Sequence, residues 1–217
     1  MKANSQREFI PEPVLRRLPW YLAYVSMLKD KKVEHVSSTT ISRELNVDSS
    51  QIAKDLSFLN IKGKTRIGYN VVTLERELRE FLGFRHSHNA VIFGAGSLGA
   101  ALMADSGLSR YGLNVVAGFD INPDLIGTTV SGVPIFSVDE LDTRCRKLKA
   151  EIGIITVPVD HAQDAADMLI SAGVRGLWNF TPVRIRVADG IVIANTSIYA
   201  HLAVMYNRLY NLSADSL

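Results

Sequence analysis

Residues 90–120 read AVIFGAGSLGAALMADSGLSRYGLNVVAGFD. A short apolar run, Ala90–Phe93, enters Gly94-Ala95-Gly96-Ser97-Leu98-Gly99. Leu98, Ala101 and Leu102 then recur at helical spacing, and a second strand pattern over 114–119 ends on Asp120. Strand, glycine turn, helix and a second strand closing on an acid make one βαβ unit. Gly94 lets the chain turn out of the strand, Gly96 lets backbone N–H groups approach a pyrophosphate, and Gly99 lets the helix pack on the sheet. The free N–H groups and positive dipole end of that helix favour phosphate. Asp120 follows Gly99 by 21 positions, about where a carboxylate meets a ribose 2′-OH. A 2′-phosphate would be repelled there, and Ile121-Asn122-Pro123 offers no arginine to neutralise it, so NAD(H) is expected over NADP(H).

The rest of the downstream half repeats the alternation. Strands are expected over 132–136, 151–157 and 175–178, with helices over 139–148 and 160–172. A hairpin is expected where 184–187 and 191–194 flank Asp189-Gly190. Alternating strands and helices specify a doubly wound, mostly parallel sheet. Thr156-Val157-Pro158 sits at a strand's carboxyl end, where such sheets take ligands. A closing helix, 197–212, carries Ile198, Leu202, Met205 and Leu209 on one stripe and Tyr199, Ala203, Tyr206 and Tyr210 on another. A helix apolar over most of its surface needs cover, and a second subunit is the expected cover.

Upstream, residues 1–12 are polar and without periodicity, the pattern of a flexible arm. A helix over 13–31 buries Leu18, Leu22, Val25 and Leu28. A helix over 38–45, the turn Asn46-Val47-Asp48-Ser49 and a helix over 49–59 follow. Asp48 and Gln51 have capping-box spacing. Ile52, Leu56 and Leu59 point inward and Gln51, Lys54 and the serines outward. This is a helix-turn-helix pattern. Residues 61–72 read as a β-hairpin with Lys62, Lys64 and Arg66 alternating along one face, a basic wing. Thr39, Ser49, Ser50, Gln51, Lys54, Lys62, Lys64, Thr65 and Arg66 are the expected DNA contacts. A charged helix over 74–82 stops at Gly83, and 85–89 is the expected linker, with His86 and His88 solvated.

Charge divides the same way. Residues 1–86 hold 15 Lys/Arg against 10 Asp/Glu, and residues 87–217 hold 9 against 12. A basic part beside an acidic part suggests a nucleic-acid module joined to a small-molecule module. No apolar run approaches the roughly 20 residues that span a bilayer, and the N-terminus lacks a signal-peptide core, so a cytoplasmic protein without membrane contact is expected. The single Cys145 permits neither an internal disulfide nor a thiolate-rich zinc site, and no metal is expected. Among Arg144, Arg146 and Lys147 it reads as a small helix residue, with a redox-sensing thiol the alternative.

These segments, in this order, resemble the Rex family of redox-sensing transcriptional repressors over nearly the whole chain. The stretches that carry the likeness are Gln51-Ile52-Ala53-Lys54-Asp55-Leu56, Gly68-Tyr69, Arg79-Glu80-Phe81-Leu82-Gly83, Gly94–Gly99, Gly118-Phe119-Asp120, Thr156-Val157-Pro158 and Asn179-Phe180-Thr181-Pro182. The resemblance implies an α/β chain in three parts. A winged helix-turn-helix takes 1–86, a Rossmann-type domain 87–195, and a helix over 196–217 is swapped onto the partner of a homodimer. It implies double-stranded operator DNA as partner and NADH as the ligand that releases it. The cofactor residues it implies are Gly94, Ala95, Gly96, Ser97, Leu98, Gly99, Asp120, Ile121, Thr156, Val157, Pro158, Asn179, Phe180, Ser197 and Ile198.

The sequence departs from the family pattern where Ala53 replaces an arginine and where Thr65-Arg66-Ile67-Gly68 replaces Arg-Gly-x-Gly. Ala23, Ser97, Asp105 and Ser197 replace the polar groups the family pattern places around the nicotinamide, so a weaker NADH/NAD⁺ distinction is expected. No catalytic residue is expected. An NAD-dependent oxidoreductase, with His161 as its acid/base, is the alternative, and a CoA- or nucleotide-binding adaptor without DNA binding is a third reading.

Overall fold

A computed structural model describes residues 10–214, with side chains through 211. The expected arm lies outside the described residues up to residue 9, as do the last three residues of the expected closing segment. The chain divides between His86 and Ser87 into two compact units.

The first unit opens with α1, Glu12–Asp30, which has proline in its first turn and runs on through Pro19. Val14, Leu18, Tyr21, Leu22, Val25 and Leu28 recur at helical spacing and are buried. Strand β1, His35–Val36, lies in what reads as a connector. Helix α2, Ser38–Leu45, is capped by Ser37, whose hydroxyl accepts from Thr40 N–H at 3.0 Å. It ends on Asn46 at φ 51°, a left-handed position asparagine tolerates. Helix α3, Ser49–Leu56, is capped by Asp48, which accepts from Ser50 N–H at 2.8 Å and Gln51 N–H at 3.2 Å. It ends short of Leu59 because Phe58 and Leu59 bond three residues back, tightening the last turn. Leu18, Tyr21, Leu22, Ile41, Ile52, Leu56, Leu74 and Leu78 form the fully buried centre of this unit.

The expected wing hairpin is much shorter than its pattern suggests. A tight turn is closed by one bridge, with Lys64 N–H donating to Gly68 O and Gly68 N–H to Lys64 O, both at 2.8 Å. Arg66 sits at φ 65° within it, which breaks the alternation expected for the basic residues. Strand β2, Tyr69–Asn70, pairs instead with β1, antiparallel. Gly68 is demanded twice: φ is +94°, and a Cβ there would lie 2.3 Å from Val36 O. Asn70 then caps α4, Val71–Phe81, so the helix begins three residues earlier than its pattern suggests. It closes on Gly83 at φ +75°, with Gly83 N–H on Glu80 O and Phe84 N–H on Arg79 O, a Schellman pair.

The second unit is a seven-stranded sheet. Its strands are β3 His88–Phe93, β4 Leu113–Asp120, β5 Thr129–Val130, β6 Val133–Ser137, β7 Ile152–Ile155, β8 Gly176–Asn179 and β9 Val192–Asn195. The order is β5-β6-β4-β3-β7-β8-β9, and every neighbouring pair is parallel except β5 with β6. Without the β5 edge this is the dinucleotide-binding order 3-2-1-4-5-6. The connections hold α5 Ser97–Ala104, α6 Gly107–Arg110, α7 Leu141–Leu148 and α8 Ala162–Ser171, so the expected doubly wound class is observed. Along β3, Val91 and Phe93 face a core shared with Leu141, Cys145 and Leu169, while Ala90 and Ile92 face one shared with Met103 and Ile135. That is the strand's period of two with both faces covered.

Two expectations fail here. Residues 184–187 form no strand, because β9 spends its hydrogen bonds on β8 in a parallel pair. His88 is the first residue of β3 rather than a solvated linker residue, and its Nδ1 lies 3.1 Å from Glu151 Oε2. The unit closes with α9, Ile198–Ala214, along which Tyr199, Tyr206, Leu209 and Tyr210 are more than half exposed. No helix among the described residues is long and apolar enough to cross a membrane.

Candidate dinucleotide crevice and candidate DNA-binding face

The strand order reverses between β3 and β7, and the carboxyl ends of those strands hold the glycine loop and Thr156. Thr156 N–H donates to Phe93 O at 3.0 Å, and its hydroxyl donates to Gly94 O at 2.7 Å. Gly94 has φ +101°, and a Cβ on it would lie 2.9 Å from Val157 Cγ1. A Cβ on Gly99 would lie 2.0 Å from Gly94 O, so α5 packs against the strand end only with glycine there. At Gly96 an added Cβ would meet nothing within 4 Å. Gly96 caps α5 without a side-chain hydrogen bond. The bare first turn of α5 is thus open to an anion. These residues fit a pyrophosphate in backbone terms.

Asp120 ends β4 beside that loop. Its Oδ2 accepts from Ala95 N–H at 2.6 Å and its Oδ1 from Asn122 N–H at 2.9 Å. A cleft of about 360 Å³ brings together Gly94, Gly96, Asp120, Ile121, Thr156, Val157 and Pro158, all expected from sequence. Phe119, Val138, His161, Asp164, Ala165 and Met168 also line it. The sequence reading missed their shared site, although the helix pattern after Pro158 places His161, Asp164, Ala165 and Met168 at i, i+3, i+4 and i+7. His161 and Asp164 are exposed at the cleft.

The remaining expected cofactor residues are placed differently. Ser97 and Leu98 are exposed on the first turn of α5, and Ala95 and Gly99 are buried. Asn179 is fully buried, and its amide is spent internally. Nδ2 donates to Val183 O and Asn195 Oδ1, and Oδ1 accepts from Thr181 N–H and its hydroxyl. Phe180 packs against Trp178 at 4.8 Å between ring centroids. Ser197 caps α9 through Ala200 N–H at 3.2 Å, and Ile198 is half exposed. None of these four lines the cleft. Asp105 accepts from Gly107 N–H at 2.7 Å and lines a different hollow, beside Met103 and Asn114. Cys145 is buried between α7 and the sheet, and burial pushes its thiol up to about 11, which removes the thiolate that a redox-sensing role needs.

In the first unit the expected contact residues lie on α2, α3 and the turn after them. Thr39, Ser50, Lys54, Lys62, Lys64, Thr65 and Arg66 are exposed, and Ser49 and Gln51 are half-buried. The Ser50 hydroxyl is turned onto Asp48 Oδ1 at 2.5 Å. The reading of α3 omitted Asp55, which is fully buried. Arg17 reaches it from α1 with Nε to Oδ2 at 2.6 Å and Nη2 to Oδ1 at 2.8 Å. The Tyr21 hydroxyl donates to Oδ2 at 2.7 Å. Burial pushes the Asp55 carboxyl up, but the hydrogen bonds from Arg17, Tyr21 and Gln51 outweigh it and hold the acid below its ordinary value. Hydrogen bonding to Asp55 raises Arg17, and burial followed by the Asp55 hydrogen bond raises Tyr21. The signal available in the sequence was an acid three residues after Ile52, inside the inward stripe of α3.

Comparison with known proteins separates the same two units. Residues 9–57 match a family described as "Putative DNA-binding protein N-terminus", and residues 85–183 match the CoA binding domain. The chain is 56% identical to the redox-sensing transcriptional repressor Rex of Bacteroides fragilis, over 92% of this chain and 91% of that one. It is 51% identical to the protein of the same name from Porphyromonas gingivalis, over 94% and 93%. Among solved structures, RSP in complex with β-NAD⁺ and operator DNA superposes with a TM-score of 0.90 at 33% identity, over 97% of both chains. RSP with β-NADH gives 0.85, also at 33% identity, over 97% of this chain and 99% of that one. Those relatives are named as repressors rather than enzymes. With over half of its residues shared with such repressors along nine-tenths of both chains, the chain belongs to the Rex family of redox-sensing transcriptional repressors.

Proposed function

We propose that this chain is a transcriptional repressor that binds double-stranded operator DNA as a homodimer and is released when NADH occupies its crevice. It thereby senses the NADH/NAD⁺ ratio in the cytoplasm. The observation that carries the reading is the Gly94–Gly99 loop at the switch point of the sheet, with Asp120 hydrogen-bonded to it. The RSP structures support the pairing of ligands, one with β-NAD⁺ and operator DNA and one with β-NADH.

Residues 1–86 serve as the DNA-binding part, 87–195 as the NAD(H)-binding part and 196–217 as the dimerising helix. Lys54, Lys62, Lys64 and Arg66 supply phosphate contacts, and the first turn of α3 faces bases. Gly94–Gly99 holds the pyrophosphate and Asp120 the adenosine ribose. Ile121, Val138 and Met168 offer apolar surface to adenine. The exposed apolar stripes of α9 support a second subunit as their cover. The relatives named as repressors support this reading over an oxidoreductase with His161 as its acid/base. A mobility shift on the protein's own promoter DNA, with NAD⁺ and NADH titrated in parallel, tests the proposal. NADH should release DNA at lower concentration than NAD⁺.

A further inference from the structure

Gln51 and Asp55 stand one turn apart on α3. The buried Asp55 carboxylate accepts four hydrogen bonds: two from Arg17, one from the Tyr21 hydroxyl and one from Gln51 Nε2 to Oδ1 at 2.7 Å. A carboxylate gripped at both oxygens by a guanidinium is ionised and has no proton to give. Only the amino half of the Gln51 amide can face it. That fixes an orientation which the shape of a glutamine side chain leaves ambiguous. The Gln51 carbonyl oxygen is therefore turned away from Asp55.

Gln51 follows the Asp48 cap by three residues, in the first turn of the helix that a helix-turn-helix lays in the major groove. Adenine presents a donor at N6 and an acceptor at N7 on that edge, whereas guanine presents two acceptors. A free glutamine amide can turn, or offer both N–H bonds to guanine. With one N–H held by Asp55, the amide keeps one N–H beside one carbonyl oxygen. That pair complements adenine and opposes an oxygen to guanine O6.

We infer that Asp55, through its hydrogen bond to Gln51, orients Gln51 to read adenine at one base pair of each half-site. Asp55 is then a positioning residue for sequence recognition as well as a tie between α3 and α1. Arg17 and Tyr21 already complete that tie, with three hydrogen bonds. The bond to half-buried Gln51 is the one that reaches toward the contact face. The inference rests on the DNA-binding reading above.

The test selects a randomised double-stranded DNA library on the full-length protein, as wild type, Gln51→Met and Asp55→Asn. Wild type should enrich adenine over guanine about tenfold or more at one position per half-site. Gln51→Met should lose that preference and keep the others. Asp55→Asn can donate as well as accept, so it frees the Gln51 amide and should relax the same position. If Asp55→Asn does not fold, the Gln51 side-chain amide of the wild type is read directly by NMR. One of its two protons should exchange slowly in the absence of DNA. Guanine at the position that Gln51→Met alters, no altered position, two fast-exchanging amide protons, or uniform weakening by Asp55→Asn with the preference intact would each overturn the inference. Enrichment of no sequence at all would contradict the repressor reading with it.

Discussion

The Asp120 carboxylate accepts a hydrogen bond from the Ala95 N–H at 2.6 Å, tying the end of β4 to the glycine loop that follows β3. The acid and its charge are thereby held at the edge of the crevice, where the proposed function puts the adenosine ribose. NADH should bind more tightly than NADPH, because a 2′-phosphate would meet that charge. Asp120→Ala should weaken NADH binding and narrow the preference about tenfold, or about 1.4 kcal/mol. Titration of both cofactors by fluorescence reads the ratio, and equal wild-type affinities would contradict the assignment.

The Arg17–Asp55 pair makes a prediction about pH. The folded-state pKa of Asp55 is depressed, so its stabilisation is complete above the ordinary carboxylate range and is lost as pH falls through the lower folded value. Arg17→Met leaves a buried carboxylate without its main partner and should cost about 3 kcal/mol at neutral pH. It should also flatten the loss of stability on acidification below about pH 4, since less depression remains to be lost. Denaturant unfolding at several pH values measures both. An unchanged slope would show that Asp55 does not supply the pH dependence.

Lys54 and Lys64 should contact DNA phosphates. Replacing either by alanine should weaken binding to every duplex alike and reduce the salt slope by about 1. Full affinity with an unchanged slope would remove that lysine from the interface.

The exposure of Tyr199, Tyr206, Leu209 and Tyr210 in a single chain predicts an obligate dimer. A chain stopped at Asn195 should be monomeric or insoluble. It should also lose operator binding, because two half-sites need two recognition helices at fixed spacing. A soluble, dimeric truncation would refute the role of α9.

What the sequence made legible follows from where local chemistry leaves a residue-type mark. The glycine loop was readable because a positive φ at Gly94 and backbone contact at Gly99 each exclude side chains. The cap of α3 was readable because Asp48 acts within three residues. The basic wing was read as longer and more regular than it is because alternation of lysines does not reveal that Arg66 turns left-handed and that Tyr69–Asn70 pair with His35–Val36. Asp189-Gly190 permits a turn without dictating what pairs beyond it, and β9 pairs with β8 instead. Asp55 was passed over because its partners Arg17 and Tyr21 lie 38 and 34 residues upstream, on another helix. Asn179 carries a family-like stretch, yet its amide is committed to holding the loop after β8.

The central claim is that NADH releases DNA, and it is tested by titrating NAD⁺ and NADH separately against operator-bound protein. The two forms differ at the nicotinamide in one charge and in ring planarity, so only groups near that ring can tell them apart. Ala23, Ser97 and Ser197 take the place of the polar network the family pattern would put there, and Asp105 is committed to Gly107 N–H. The account predicts that NADH releases the operator at lower concentration than NAD⁺. It also predicts a ratio about tenfold smaller than in relatives with the full network, equivalent to about 1.4 kcal/mol less differential binding. Operator DNA that stays bound while the crevice is saturated with NADH would contradict it.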